Sequence, residues 1–77
     1  MRIVLVEWHD ANSIDGWKPA QQIDQMKPTT IQSVGWLHRR TKKETVLVSH
    51  ISEDKDHGAI WTIPTGCIVR IVSLVEK

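Results

Sequence analysis

The sequence predicts an all-β domain, and two observations support this fold class. Short segments rich in β-branched residues recur at close spacing, each bounded by Gly, Pro, Asn, Asp or charged residues. One pair of neighbouring segments is joined by only a short polar stretch, residues 40–43, as in a hairpin. Repeated short strands with turn signals between them are typical of a small barrel or sandwich. The chain has 77 residues, so we expect one domain over 1–77.

Five segments carry this pattern and are predicted to be strands: 2–8, 30–39, 44–51, 59–63 and 67–75. The second segment contains Gly35, which we expect to mark a bulge or a bend, because glycine inside a strand weakens regular pairing. The first two segments are separated by a loop over 9–16 and a stretch over 18–27 that ends at Pro28. Pro19 suits a helix start, so we expect a helical turn or two there.

The net charge, the cysteine count, the first apolar run and the chain length give expectations about partners, disulfides, location and oligomeric state. The net charge is +1, which gives no global signal for nucleic acid or membrane. A single cysteine, Cys67, excludes an internal disulfide and is expected to be a buried, inert thiol. The apolar run Ile3–Val6 is too short for a secretion signal, so we expect a cytoplasmic protein. Because so small a domain is marginally stable, we also expect a homo-oligomer.

The stretch Gly58–Val69, with Ile63-Pro64 at its centre, resembles the end of the Src-homology-3-like small barrel. In that fold a glycine and an Ile-Pro pair precede a single helical turn and the last strand. The resemblance implies a five-stranded barrel with a short helical turn in the first long loop. The aromatic cluster that binds proline-rich peptides in that fold is missing from Ile3–Val6, so this activity is not implied.

The chain also resembles, nearly from end to end, a group of small, uncharacterised bacteriophage accessory proteins. The similarity is carried by these segments: Val6–Trp8, Asp15–Trp17, Ser33–Leu37 and Thr62–Pro64. It implies a phage accessory gene without implying a biochemical activity. Some phage proteins of similar size counter bacterial defence by sequestering nucleotide signals, and this chain resembles that class of protein.

Catalytic and metal-binding motifs are not apparent in the sequence. It shows no nucleophile elbow, no HExxH and no phosphate-cradling glycine loop. The possible soft ligands, which include His38, His50 and His57, do not have the close spacing of zinc modules. We therefore expect a non-enzymatic protein with no metal and no cofactor.

Two groups of residues are candidates for a binding site. The first is a basic hairpin, with His38, Arg39 and Arg40 followed by two lysines, whose arginines offer paired donors to phosphate. The alternative is that the basic residues bind no anion and only keep the hairpin tip hydrated and protect a sheet edge. Trp36 shares a strand face with His38 and adds an aromatic ring if that face is exposed.

The second group is the loop flanked by Trp8 and Trp17, in which Asp10 and Asp15 offer carboxylates. One hypothesis is that the two indoles close the loop like a clasp. The other is that one indole stacks on a planar ligand whose edge donates to a carboxylate. Trp61, between Ile60 and Ile63, is expected in the core.

The leading hypothesis is a phage-encoded binding protein that sequesters a small planar anion, such as a nucleotide signal, between a tryptophan and Arg39 or Arg40. One alternative is a module that docks on a host protein and inhibits it, since an exposed tryptophan beside an arginine suits a hot spot. Another is weak nucleic-acid binding, which the acidic turn Glu53–Asp56 opposes. A concave pocket would favour the small ligand, and a flat aromatic patch would favour a protein partner.

Overall fold

The structure, a computed structural model that describes residues 1–13 and 15–75, is built from five antiparallel strands. These are β1 (Ile3–Asp10), β2 (Thr29–Arg40), β3 (Glu44–Ile51), β4 (His57–Pro64) and β5 (Ile68–Ser73). A short helix, α1 (Ala20–Asp24), lies between β1 and β2, and a 3-10 turn (Thr65–Cys67) joins β4 to β5. The all-β class and the helical turn are confirmed, and each strand boundary falls within two residues of its predicted position.

The strands form one sheet in the order β4-β3-β2-β1-β5, with β4 and β5 as its edges. The sheet is therefore open. Each neighbouring pair is antiparallel, and registered partners such as Leu5 with Val34 point to the same face. This register separates the side chains of the sheet into an inner face and an outer face.

The inner face forms the hydrophobic core. Val4, Val6 and Trp8 on β1 pack with Leu47 on β3 and Ile63 on β4. In the sheet β1 is a neighbour of β2 and β5 only, so these contacts require the sheet to curl until β1 faces β3 and β4. Curling of this kind follows from the natural twist of strands, and it encloses a core that a flat sheet of this size would leave open.

The register shift of β2 does not lie at Gly35, which we expected to mark a bulge or a bend. The register with β3 shifts between Leu37 and Arg39 instead. Gly35 is buried and has another role, because a Cβ atom at this position would lie 2.8 Å from the carbonyl oxygen of Val48. The glycine therefore allows the backbones of β2 and β3 to approach closely where the two strands begin to diverge.

A hydrogen-bond network ties the β2–β3 turn to the 3-10 turn. The Thr65 hydroxyl donates to the carbonyl oxygen of Thr41 (2.8 Å) and lies 3.0 Å from the hydroxyl of the fully buried Thr45. Because the Thr65 proton is used toward Thr41, Thr45 is the donor in the second bond. The network holds the connection between β4 and β5 against the start of β3.

Replacing Thr45 by valine is expected to lower the free energy of unfolding by about 1 kcal/mol, since it removes one buried hydrogen bond at nearly constant volume. Urea unfolding followed by tryptophan fluorescence measures this change. The control is Thr62→Val on β4, where the side chain is exposed and the expected change is below about 0.5 kcal/mol. Equal losses in both variants would contradict the proposed network.

The loop between β1 and β2 projects from the sheet. The molecule measures 52 × 26 × 24 Å, and every residue of α1 is exposed. The Asn12 amide donates to the carbonyl oxygen of Lys27 and to the Thr29 hydroxyl, which joins the two ends of the loop. Ile14, within the predicted loop, lies outside the described residues. In the part of the chain that the structure describes, no helix has the length and apolar character needed to cross a membrane.

Candidate functional site

The long loop exposes Trp17 completely. Its relative exposure is 100%, and Gly16 before it has φ +92°, a conformation that favours glycine. The clasp hypothesis for Trp8 and Trp17 is therefore wrong, because the two indoles do not cover the loop together. Asp15 is exposed beside Trp17, and Asp10 is exposed at the end of β1, opposite Thr29. Apolar surface continues along the loop at Ile23 and Met26, which are also exposed.

The other tryptophans differ in how far their rings are buried. Trp8 is a core residue, only 6% exposed, and its indole N–H donates to the Ser33 hydroxyl at 3.1 Å. Burial leaves little of this ring for a ligand. Trp61 was expected in the core, but it is 53% exposed and is tilted against Trp8 with ring centroids 6.4 Å apart. Its position on the edge strand β4 explains the difference, since the core covers the ring on one side only.

Trp36 lies on the outer face and is partly exposed. It lines a shallow pocket of about 230 Å³ with Ile3, Val34, Gly35 and Ser49. A second shallow depression, about 300 Å³, lies under the loop against residues that include Asn12 and Met26. Neither depression is lined by the arginines of the basic hairpin.

The basic hairpin is exposed. Arg39 forms an ion pair with Glu44 (2.7 Å), while Arg40, Lys42 and Lys43 make no ion pair with any residue in 1–13 and 15–75. His38 points to solvent, and its ring lies 5.5 Å from that of His57 in an edge-to-face arrangement. The fold therefore presents three unpaired cations near one turn.

The structure brings some of the predicted residues together and separates others. Trp36 and Arg39 share the outer face, because their partners Val48 and Val46 are alternate residues of β3. Trp17 is far from Arg39, since the long loop joins β2 at Thr29 and the basic hairpin follows Arg40. Eleven residue steps along a strand amount to about 35 Å. The structure therefore places the Trp17 loop and the basic hairpin at opposite ends of β2.

An apolar surface on the outer face was not singled out from the sequence. It consists of two registered rows of side chains that together cross all five strands: Val72, Leu5 and Val34 in one row, and Ile3, Trp36, Val48 and Ile60 in the other. We call this surface the apolar band. Val34 and Ile60 are more than half exposed, and Ile3 and Val72 more than a third. In the sequence, this surface is indicated by the consecutive apolar residues of β1, β3 and β5. Neighbouring residues of a strand point to opposite faces, so such runs place apolar side chains on both faces of the sheet.

Ion pairs flank the apolar band on the same face. Glu7 and Arg70 pair at 3.1 Å beside the row that contains Leu5, and they occupy registered positions of β1 and β5. The pair between Arg39 and Glu44 lies beyond the row that contains Trp36. Each of these ion pairs joins one acid and one base, and Arg40, Lys42 and Lys43 lie between the two members of the second pair along the chain.

Cys67 lies in the 3-10 turn and is partly exposed, so the expected full burial is not observed. Among the described residues, no three His, Cys, Asp or Glu side chains are grouped in a way that would hold a metal ion.

Comparisons with known protein families, curated proteins and solved structures found no match to this chain.

Proposed function

We propose that this chain is a non-enzymatic binding protein that docks on a partner protein by inserting Trp17 into an apolar pocket. The observation that carries the proposal is the complete exposure of Trp17 on a loop whose two ends are hydrogen-bonded together through Asn12. Tryptophan is the residue most enriched at binding hot spots, where a large ring enters a dry pocket of the partner. Loops held by a rigid scaffold are also where binding residues concentrate.

A protein is a better partner for this surface than a small molecule. Trp17 stands on a projecting loop with Ile23 and Met26 exposed on the same segment, and this convex shape suits insertion into a partner. Small-molecule sites are concave and enclose most of the ligand. Trp17 does not line either of the two depressions described above.

The resemblance to bacteriophage accessory proteins supports a host protein as the partner, met in the bacterial cytoplasm. The strand order and the 3-10 turn before β5 support the finer proposal that the curled sheet is a small barrel of the Src-homology-3-like kind. On such a scaffold the loop between β1 and β2 is free to vary, because none of its described residues belongs to the core.

The test compares immobilised wild type with Trp17→Ala and Trp17→Phe as baits in bacterial lysate. We expect wild type to retain a protein, identified by mass spectrometry, that Trp17→Ala releases and Trp17→Phe partly retains. With the purified partner, Trp17→Ala should weaken the Kd by about 30-fold or more, as loss of a hot spot of about 2 kcal/mol requires. Folding stability should not change, because the Trp17 side chain faces solvent.

Two outcomes of this experiment would overturn the proposal. One is that wild type retains no protein. The other is that Trp17→Ala retains the same protein with the same Kd, which would show that the loop is not the docking element.

A second candidate is the sequestering of a small planar anion, and one observation favours it. Trp36 and Arg39 lie on the same face in adjacent positions, so a base stacked on Trp36 would have its phosphate near Arg39. This candidate predicts that a mono-, di- or cyclic nucleotide quenches tryptophan emission saturably. The quench should be lost in Arg39→Ala and kept in Arg70→Ala, whose guanidinium lies at the other flank of the apolar band. The docking proposal predicts no saturable quench.

A further inference from the structure

We infer that His38 and His57 form a binding site for a divalent first-row transition metal such as Ni²⁺ or Zn²⁺. Their imidazole rings have centroids 5.5 Å apart, and both side chains are exposed. Neutral imidazole is the commonest metal ligand in proteins and suits Ni²⁺, Cu²⁺ and Zn²⁺, whereas Mg²⁺ and Ca²⁺ prefer oxygen ligands. The inference is independent of Trp17 and of the docking function.

The separation of the two rings fits coordination of one ion. A metal–nitrogen bond is about 2.0–2.1 Å long, so an ion lies about 3.2 Å from the centroid of each imidazole that binds it. Two rings on one tetrahedral ion then have centroids about 5 Å apart, close to the 5.5 Å of this pair. The rings meet at 72° and are not stacked. Because both side chains are exposed, each ring can turn about its Cβ–Cγ bond until one nitrogen points to the ion.

The close approach of these rings is unusual, because β3 lies between the strands that carry them. His38 is on β2, and His57 is the first residue of β4. The backbones of next-but-one strands are about 10 Å apart, and side chains perpendicular to a flat sheet would stay that far apart. The 5.5 Å between the ring centroids therefore shows that the curvature of the sheet and the local geometry turn the two side chains toward each other.

An irregularity of the backbone accompanies each histidine. The register of β2 with β3 shifts between Leu37 and Arg39, which leaves His38 as the extra residue of a bulge. Bulges re-aim side chains and are frequent next to functional sites. On β4, Ala59 follows His57 by two residues and has φ 51°, a left-handed conformation that favours glycine. Both strands therefore depart from regular geometry near the point where each supplies a ring.

The charges next to the two histidines allow a cation to bind. The turn before His57, residues 52–56, carries three acidic residues and one lysine. Arg39, which follows His38, is neutralised by its ion pair with Glu44. The unpaired cations of the basic hairpin begin only after it, at Arg40.

An ion at this site has two protein ligands. Among the described residues no third His, Cys, Asp or Glu joins the pair, so water fills the remaining coordination positions. The ion links β2 to the edge strand β4 across β3. Because the unfolded chain does not hold the two rings together, the ion binds the folded protein more tightly and stabilises it.

The test is isothermal titration calorimetry of the full chain with NiCl₂ and with ZnCl₂, at about pH 7.5, where an ordinary imidazole is mostly neutral. We expect wild type to bind one ion per chain and not to bind Mg²⁺. His38→Gln and His57→Gln should each weaken the Kd by at least about tenfold, since even the loss of a group that only orients a metal ligand costs this much. The matched control is His9→Gln, at an exposed position of β1, which should bind as wild type does.

Further variants and a second readout keep the inference testable. Cys67→Ser should bind as wild type does, which separates the histidine pair from the partly exposed thiol. Trp17→Ala should also bind as wild type does, which separates failure of the metal site from failure of the docking function. The melting temperature of wild type should rise with the concentration of Ni²⁺, and that of His57→Gln should not.

Glutamine can be hydrated at both histidine positions, because both are exposed, and circular dichroism checks that the variants fold. Three results would overturn the inference. The first is a wild type that binds neither Ni²⁺ nor Zn²⁺. The second is a Kd that either histidine substitution leaves unchanged. The third is an equal loss of affinity in any of the control variants, which are His9→Gln, Cys67→Ser and Trp17→Ala.

Discussion

Replacing Leu47 by alanine is expected to lower the free energy of unfolding by about 2–5 kcal/mol. Leu47 is 1% exposed at the centre of the core, where it packs with residues of β1 and β4. The substitution removes buried methyl groups and leaves a cavity that the curled sheet closes only in part. A domain of this length has a total stability of about 4–12 kcal/mol, so the variant is expected to be partly or fully unfolded at moderate temperature.

Urea unfolding at fixed protomer concentration measures this loss, because any dimer contributes to the apparent stability. Leu74→Ala is the matched control, since the substitution is the same and the Leu74 side chain is exposed. We expect it to cost less than about 1 kcal/mol. A similar loss for both variants would show that the core is not centred on Leu47.

Alanine at Gly35 is expected to destabilise the protein by about 1–3 kcal/mol through overpacking. The added Cβ would lie 2.8 Å from the carbonyl oxygen of Val48, a backbone atom that cannot rotate away. The only relief is to separate β2 from β3, which would weaken the pairing between Trp36 and Val48. Without the clash, alanine would be the better strand residue, so the sign of the effect is diagnostic.

Gly66→Ala provides the control for this substitution. No atom lies within 4 Å of a Cβ built at Gly66, and the backbone there has a φ that alanine adopts. We expect Gly66→Ala to be neutral or slightly stabilising, because it reduces the freedom of the unfolded chain. Thermal unfolding of both variants gives the comparison, and a stabilised Gly35→Ala would contradict the close approach of β2 and β3.

Much of the fold could be predicted from local signals. β3 was predicted with the boundaries that it has, because a polar hairpin connection and a charged turn delimit it. The role of Gly35 could not be predicted, because a bulge and a close approach of two strands both favour glycine inside a strand. The difference depends on the partner strand, which comes from elsewhere in the chain.

The candidate site was harder to predict because alternation does not say which face is inside. In β2, Ser33 and Val34 lie on opposite faces, and the polar residue is the one facing the core, where it accepts a hydrogen bond from Trp8. Hydrophobicity alone would have placed Val34 inside. The exposure of Trp61 and Trp17 likewise depends on the sheet edge and on the projecting loop, which only the assembled fold defines.

The claim that binding proceeds through Trp17 is tested most directly by the emission of that indole. The difference between the spectra of wild type and Trp17→Phe isolates it from the other three tryptophans. We predict emission at the long wavelength of a hydrated indole for the free protein. Titration with the protein retained by wild type should shift this emission to shorter wavelength and saturate at one partner per chain. An unchanged difference spectrum at saturation, with the shift arising equally in Trp17→Phe, would contradict the account.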